Sequence, residues 1–199
     1  MTTRSKKPLT FRLNIRTDIK TLPRAGFLLW VKHGSLVHLM MQSAMHTMTL
    51  DELSARFQTR VHACPPEDGL PLSHYLAHAL LQLAPYRIIL IDGLPLPSNT
   101  DIPLTLQCLR VPHPKRETRL NSVWQQHGRI VGHAVSPHTP RTLSQVTAVS
   151  QLFTDPTTPI SPATVAYHLL RLAEAGLVSL SLQSTSIEET AVPPSDKTM

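Results

Sequence analysis

The sequence predicts an α+β fold in two units: a mixed N-terminal domain that contains a β-hairpin, and a smaller, mostly helical domain after it. Short apolar runs of strand length, such as Phe27–Val31 and Ile88–Ile91, alternate with stretches of helical period. Proline-rich segments separate these stretches, and the one at residues 112–114 divides the chain. With 199 residues, the chain is long enough for one domain or two small ones and needs no disulfide to hold a core.

The first predicted elements, in the unit of residues 10–111, are strands. Thr10–Arg16 alternates apolar and polar side chains, as a half-buried strand does. Gly26–Met41 contains two apolar runs separated by a short polar turn. Because Gly34 can adopt the positive φ of a tight turn, this segment is predicted to be an antiparallel β-hairpin.

Helices and one further strand complete this unit. The capping-box spacing of Thr49 and Glu52 marks the start of a helix. Aromatic side chains are scarce and are expected to anchor the core: Phe11, Phe27, Trp30, Phe57, Trp124 and Phe153. The predicted helices are Leu50–Phe57, Ser73–Ala84 and Asn99–Arg110, and the predicted strand is Arg87–Asp92.

The second unit, residues 120–183, follows a connector at residues 112–119. Its strongest helix is Ser161–Ala175, with Ser161 as N-cap, proline at the first helical position and Gly176 just past the end. The pattern of Gly128–Val135 fits a strand or a continuing helix. Residues 1–9, which are basic, and residues 184–199 are expected to be disordered tails. The other predicted elements are the helices Leu120–Gln126 and Thr142–Phe153 and the strand Leu177–Leu182.

The string formed by Thr142–Phe153, a loop and Ser161–Val178 resembles the helix-turn-helix core of a winged-helix domain. The segment SPATVAYHLLRLAEAGLV, which begins at Ser161, is similar to the recognition-helix segment of ArsR-like bacterial regulators. In that family the first-turn side chains of this helix face the major groove of DNA. The resemblance implies a winged-helix-like domain in a transcription regulator that binds DNA as a dimer.

That resemblance leaves two functions open. Residues 141–183 carry two basic and two acidic side chains, so the charge for phosphate contacts must come from elsewhere in the chain. Winged helices also serve as protein-docking modules, so a protein-protein signalling adaptor is the alternative to a DNA-binding regulator. The expected DNA-binding residues are Ser161, Thr164, Tyr167, His168, Arg171, Arg116, Arg119 and Arg141.

The N-terminal unit has a resemblance of its own. The segment Arg24–His38, in which glycines introduce two apolar runs, resembles the hairpin of the PatA-type N-terminal domain. That domain occurs in bacterial regulators of motility, pili and differentiation. The resemblance implies that residues 10–111 form a sensing or docking domain, and that the partner is another protein or a second copy of this chain.

Charge is unevenly distributed along the chain. The formal net charge of +6 is carried by residues 1–24, and residues 25–199 are neutral as a block. A second basic run surrounds the connector and includes Arg110 and Arg129. The chain has no apolar run of transmembrane length, no secretory signal and only two cysteines, so a cytoplasmic protein with no membrane partner is expected.

Patterns of catalytic and metal-binding residues are weak. The seven glycines form no phosphate loop, and there is no nucleophile elbow, so a non-enzymatic protein without a cofactor is expected. His74 and His78 have the i, i+4 spacing of a metal-binding pair, with Cys64 as a possible third ligand. The favoured interpretation is an ordinary pair of histidines and no metal. Asp92, which precedes a glycine, is expected to belong to a turn.

Overall fold

The computed structural model describes residues 9–42, 46–60, 69–94, 103–113, 115–154 and 159–182. This part of the chain has an α+β fold, as predicted. Apart from Leu9, both predicted tails lie outside the described residues, as does Cys64. The strands are β1 Phe11–Leu13, β2 Ile89–Ile91, β3 Leu104–Cys108, β4 Arg141–Thr142 and β5 Val178–Leu182. The helices are α1 Arg24–Lys32, α2 Gly34–Met41, α3 Leu50–Arg60, α4 Leu72–Leu83, α5 Thr118–Val123, α6 Arg129–Val131, α7 Leu143–Leu152 and α8 Pro162–Glu174.

β1 and β2 form an antiparallel pair that joins the start of the chain to its middle. Phe11 lies opposite Ile91 in this pair. Phe11 also exchanges two backbone hydrogen bonds of 2.8 Å with Met48, and its side chain is fully buried. The alternation predicted for residues 10–16 is confirmed over three residues, whereas Ile15 lies beyond the strand and is exposed.

The β-hairpin predicted over Gly26–Met41 is wrong, because both of its apolar runs are helices. α1 and α2 meet at His33, and Gly34 begins α2 without a positive φ. A continuous apolar run fits both a buried strand and a buried helix, so the pattern alone could not distinguish them. The buried side chains of α2, which recur with helical spacing and pack towards β1, are Leu36, Val37, Leu39 and Met40.

The helix predicted over Asn99–Arg110 is wrong where the structure describes it, because Leu104–Cys108 is the strand β3. Residues 95–102 lie outside the described part. β3 is the central strand of an antiparallel sheet with the order β4–β3–β5, in which Thr105 lies opposite both Thr142 and Ser181. Four of its five residues are buried. A strand covered on both faces lacks the alternation by which strands are recognised.

One hydrophobic core runs through the described residues, with contributions from Phe11 in β1 to Leu180 in β5. α4, from the predicted N-terminal unit, packs directly against α8, from the predicted C-terminal unit. β3 and its partners β4 and β5 lie on opposite sides of the predicted connector in sequence. Residues 112–119 therefore link strands of one sheet.

The predicted helices that begin at capping residues are present in the structure. Thr49 and Glu52 exchange side-chain-to-backbone hydrogen bonds of 2.8 and 3.2 Å at the start of α3. Thr142 caps α7 in the same way with Gln145. The helices predicted over Ser73–Ala84 and Ser161–Ala175 and the strands predicted over Arg87–Asp92 and Leu177–Leu182 are also present, within a few residues of the predicted ends.

The segment whose pattern fitted either a strand or a helix continues the preceding helix. α5 passes into a π-helical turn, Trp124–Gly128, and then into α6. The glycines make room for the indole of Trp124, since a Cβ on Gly128 would lie 2.6 Å from the Trp124 ring. This turn directs His127 into the protein interior.

The aromatic side chains divide between core and surface. Phe11 and Phe57 are buried, and Trp30 and Trp124 pack against the core. Phe27 and Phe153 are exposed by 45% and 66%, so the expectation that both anchor the core is wrong. Among the described helices, none combines the length and the apolar character that crossing a bilayer requires.

Candidate functional site: the face of α8 that meets α4

α8 is positioned by signals at both of its ends. The Ser161 side chain accepts a hydrogen bond of 3.0 Å from the Thr164 backbone N–H, and Pro162 occupies the first helical position. At the other end Gly176 has φ +70, which turns the chain into β5. Between these ends, the apolar side chains of α8 enter the core. The capped ends and the buried apolar side chains of α8 therefore fix the orientation of the polar side chains on this helix that were predicted to contact DNA.

Two of those side chains face α4. The Thr164 hydroxyl lies 3.3 Å from Nδ1 of His74. The Tyr167 ring stacks on the His74 imidazole, with the ring centroids 4.3 Å apart and the planes inclined by 25°. His74, one of the two histidines with metal-binding spacing, thus packs against the helix predicted to bind DNA.

His168 lies deeper in the same face. It is 8% exposed, and its Nδ1 lies 2.9 Å from Nδ1 of His127 on the π-helical turn. A hydrogen bond between two ring nitrogens needs one N–H and one lone pair, so the ring that accepts is neutral. His74, His127 and His168 together form a group that we call the histidine cluster, in which the His74 and His168 rings lie 6.0 Å apart.

The surroundings of the histidine cluster favour the uncharged form of its rings. Burial is the main cause and lowers the pKa of all three rings. For His168, the charges of His127 and His74 add to burial and lower the pKa to about 4. Neutral imidazoles lack the positive charge that draws phosphate groups to a protein surface. In this state the cluster orders the contact between helices, and it presents no cationic group.

Arg171, the one cation predicted on α8, is paired within the protein. Its guanidinium donates a 2.9 Å hydrogen bond to Glu174 and further hydrogen bonds to Asp51 of α3. It also lies over the Tyr167 ring, 5.2 Å from the centroid. The side chains of Arg171 and Glu174 are both largely buried, at 19% and 18% exposure. Arg171 thus binds α8 to α3.

The remaining basic side chains predicted to contact DNA lie on other elements. Arg116 lies just before α5 and Arg119 lies in its first turn, and both side chains are exposed. Arg141 donates a 2.7 Å hydrogen bond to the backbone carbonyl of Ala134. DNA binding by these groups would require them to share one exposed face with α8. The structure brings Thr164, Tyr167, His168 and Arg171 together, but on a face turned towards α3, α4 and the π-helical turn.

His74 and His78 have separate surroundings although they lie one turn apart. His78 is half-buried beside His33, and burial lowers its pKa to about 4. His33 is itself buried, with its ring nitrogens 3.1 Å from the Tyr75 hydroxyl and 3.0 Å from the side-chain oxygen of Gln82. In the part of the chain that the structure describes, no three His, Cys, Asp or Glu side chains are placed to hold a metal ion. Asp92 lies in a turn, as expected.

The sequence missed an exposed apolar face on α1, because this segment had the pattern of a hairpin strand. Phe27, Leu28 and Val31 are 45%, 56% and 61% exposed, and they form one helical stripe, which we call the α1 face. Gly26, on the other side of α1, is buried so closely that a Cβ there would lie 2.8 Å from the Tyr86 ring.

The elements around α8 follow one another along the chain in the following order. From α5 onwards the chain runs through α6, β4, α7, α8 and β5, and the strand paired with β5 is β3, which precedes these helices in sequence. The two family resemblances stay predictions. Comparison of the chain with protein-family models, curated proteins and solved structures found no match.

Proposed function

We propose that this chain is a non-enzymatic regulatory adaptor that binds a partner protein through the α1 face. The observation that carries the proposal is the exposure of three large apolar side chains on one stripe of α1. A contiguous exposed apolar surface of this kind is typical of an interaction site. The partner surface that fits it is an amphipathic helix, whose apolar stripe would pack along α1.

The charges around the α1 face select the chemistry of the partner. Residues 9–42 carry five basic side chains and one acidic side chain, Asp18. The Asp18 carboxylate already accepts a 3.0 Å hydrogen bond from the Lys20 backbone N–H. Arg24 and Lys32 lie at the two ends of α1 and are exposed. The complementary partner is a helix with an apolar stripe flanked by aspartate or glutamate.

The surroundings of α8 support the adaptor over the DNA-binding regulator. Base contacts require side chains that can reach into a groove. His168 is buried against His127, and Arg171 is paired with Glu174 and Asp51. To contact bases, these groups would have to leave the partners they have in the folded protein. DNA binding is therefore the alternative function, and the experiments below distinguish it from partner binding.

The first test uses two synthetic amphipathic helical peptides with the same leucine stripe, flanked by glutamate in one and by lysine in the other. We expect the full chain to bind the glutamate peptide more tightly and to lose affinity as salt is added. Replacing Phe27, Leu28 and Val31 together by glutamine should weaken binding by about tenfold or more, since apolar burial is lost. The matched control replaces Leu152 and Phe153, which are 80% and 66% exposed elsewhere, by glutamine.

The second test identifies the natural partner. A photo-reactive phenylalanine analogue at position 28 is cross-linked in the host cell, and the joined peptide is sequenced. We expect a segment whose apolar residues recur with helical spacing and are flanked by acidic ones. It should come from a protein whose purified form binds the wild type and not the glutamine variant.

Four results would overturn the proposal. Equal affinity for both peptides would show that charge does not select the partner. An equal loss of affinity in the Leu152 and Phe153 control variant would show that the α1 face is not the binding site. DNA binding that Arg116→Gln and Arg119→Gln weaken, together with no peptide binding, would establish the DNA-binding regulator instead. Cross-links between two copies of the chain alone would show that the α1 face is a dimer interface.

A further inference from the structure

A small cavity lies beside β2, away from α8. Its volume is about 170 Å³, and it is bounded by the strand pair β1–β2, the turn after β2 and the end of β5. Its polar side chains are Arg12, Arg87 and Asp92, and its apolar wall includes Leu90, Leu94 and Leu182. Two arginines therefore line one small cavity with an apolar wall. Neither lies on α1, which carries the partner surface proposed above.

Arg87 is held in an unusual conformation at this cavity. Its φ is +58, the one positive φ outside glycine among the described residues. Two hydrogen bonds hold its backbone in place. The Arg87 N–H donates to the Ala84 carbonyl at 2.9 Å, and the Arg87 carbonyl accepts from the Thr17 hydroxyl at 2.9 Å. The Nε atom of Arg87 is buried and has no hydrogen-bond partner among the described residues. A buried donor without an acceptor is costly, and such groups in native proteins call for an explanation.

The described residues do not neutralise the charges of the cavity. In the described part of the chain, neither Arg12 nor Arg87 forms a salt bridge. The Asp92 carboxylate lies more than 4 Å from both guanidinium groups and accepts a 3.3 Å hydrogen bond from the Thr10 hydroxyl. Two arginines and one aspartate leave the lining with a net charge of +1.

We propose that this cavity binds a monocarboxylate with a short aliphatic body. Guanidinium groups match the planar, two-oxygen geometry of a carboxylate. The net charge of +1 suits a monoanion, whereas a phosphate dianion would meet the negative charge of Asp92 at close range. Leu90, Leu94 and Leu182 provide the apolar surface for the body of the ligand.

The experiment is a titration of the full chain, labelled with ¹⁵N, with hexanoate, inorganic phosphate and the uncharged analogue hexanamide. We expect hexanoate to shift the backbone resonances of residues 12 and 87–94 in a saturable way, and the other two compounds to leave them unchanged. Arg12→Gln should weaken hexanoate binding by about tenfold, the effect of losing one hydrogen bond to a charged group.

Variants at position 87 separate binding from folding. Arg87→Gly removes the guanidinium and suits the positive φ, so the protein stays folded while hexanoate binding is lost. Arg116→Gln, which removes an exposed arginine outside the cavity, is the matched control and should bind as the wild type does. Phosphate binding as tight as that of hexanoate, unchanged hexanoate affinity in Arg87→Gly, or no saturable shift in the wild type would each overturn the proposal.

Discussion

The Nδ1 atoms of His127 and His168 lie 2.9 Å apart in the protein interior and join the π-helical turn to α8. Protonation of the accepting ring would place two N–H donors against each other and break this hydrogen bond. Burial lowers the pKa of both rings. The contact is therefore a hydrogen bond between neutral rings, which breaks when low pH protonates the accepting ring.

We expect the free energy of unfolding to fall between pH 6.5 and about 4. Histidines of the unfolded chain bind protons near pH 6.5, whereas His168 and His78 in the folded protein have a pKa of about 4. Over this interval the unfolded state binds more protons, so each group can contribute up to about 1.4 kcal/mol per pH unit. The contribution of His78 is smaller, since that side chain is half-buried and water screens it. This stabilisation is complete above pH 6.5 and is lost as the pH falls towards 4.

Urea unfolding followed by circular dichroism at several pH values measures this effect. The other groups that face His168 are His127 and His74, and Arg171 lies near His127. His168→Gln should reduce the slope, because one group with a lowered pKa is gone. His138→Gln, at an exposed position, is the control. Equal slopes in wild type and His168→Gln would contradict the prediction.

The π-helical turn should tolerate no side chain at Gly128. A Cβ there would lie 2.6 Å from the Trp124 ring, so Gly128→Ala should lower the free energy of unfolding by about 1–3 kcal/mol through overpacking. Gly34→Ala is the matched control, because nothing lies within 4 Å of its Cβ position in α2. It should raise stability by about 0.5 kcal/mol. A similar effect of both substitutions in thermal unfolding would refute the role of Trp124.

Ser161 should act as a helix cap. Ser161→Ala removes the acceptor for the Thr164 N–H and should cost about 1 kcal/mol of stability. Ser35→Ala, at an exposed position on α2, should change stability by less than about 0.5 kcal/mol. Chemical denaturation of the two variants checks this difference. An unchanged midpoint for Ser161→Ala would mean that the hydroxyl is not needed to begin α8.

The positive φ of Arg87 should appear as strain when alanine and glycine are compared at that position. Both substitutions remove the guanidinium, but only glycine adopts φ +58 without a clash of its Cβ. Arg87→Gly should therefore be more stable than Arg87→Ala by about 1 kcal/mol. Differential scanning calorimetry of the two variants measures this. Equal stability would show that the backbone relaxes at this position.

Part of the fold could be predicted because its signals are local. The pairs Thr49 with Glu52 and Thr142 with Gln145 place a side-chain acceptor and donor at the spacing that one helical turn needs. Gly176 adopts the positive φ that ends α8. Such groups find their partners within a few residues, so the sequence alone determined where α3, α7 and α8 begin or end.

Long-range packing decided the rest. The runs that form α1, α2 and β3 are apolar enough for either helix or strand, and their structures follow from what covers them: α4 and β1 for the first two, β4 and β5 for the third. The same holds for the candidate site. The sequence placed Thr164, Tyr167, His168 and Arg171 on one face of one helix, but only the packing of α8 against α4 turned that face inward. Helical period defines which side chains share a face, and the surface against which that face is buried depends on residues distant in sequence.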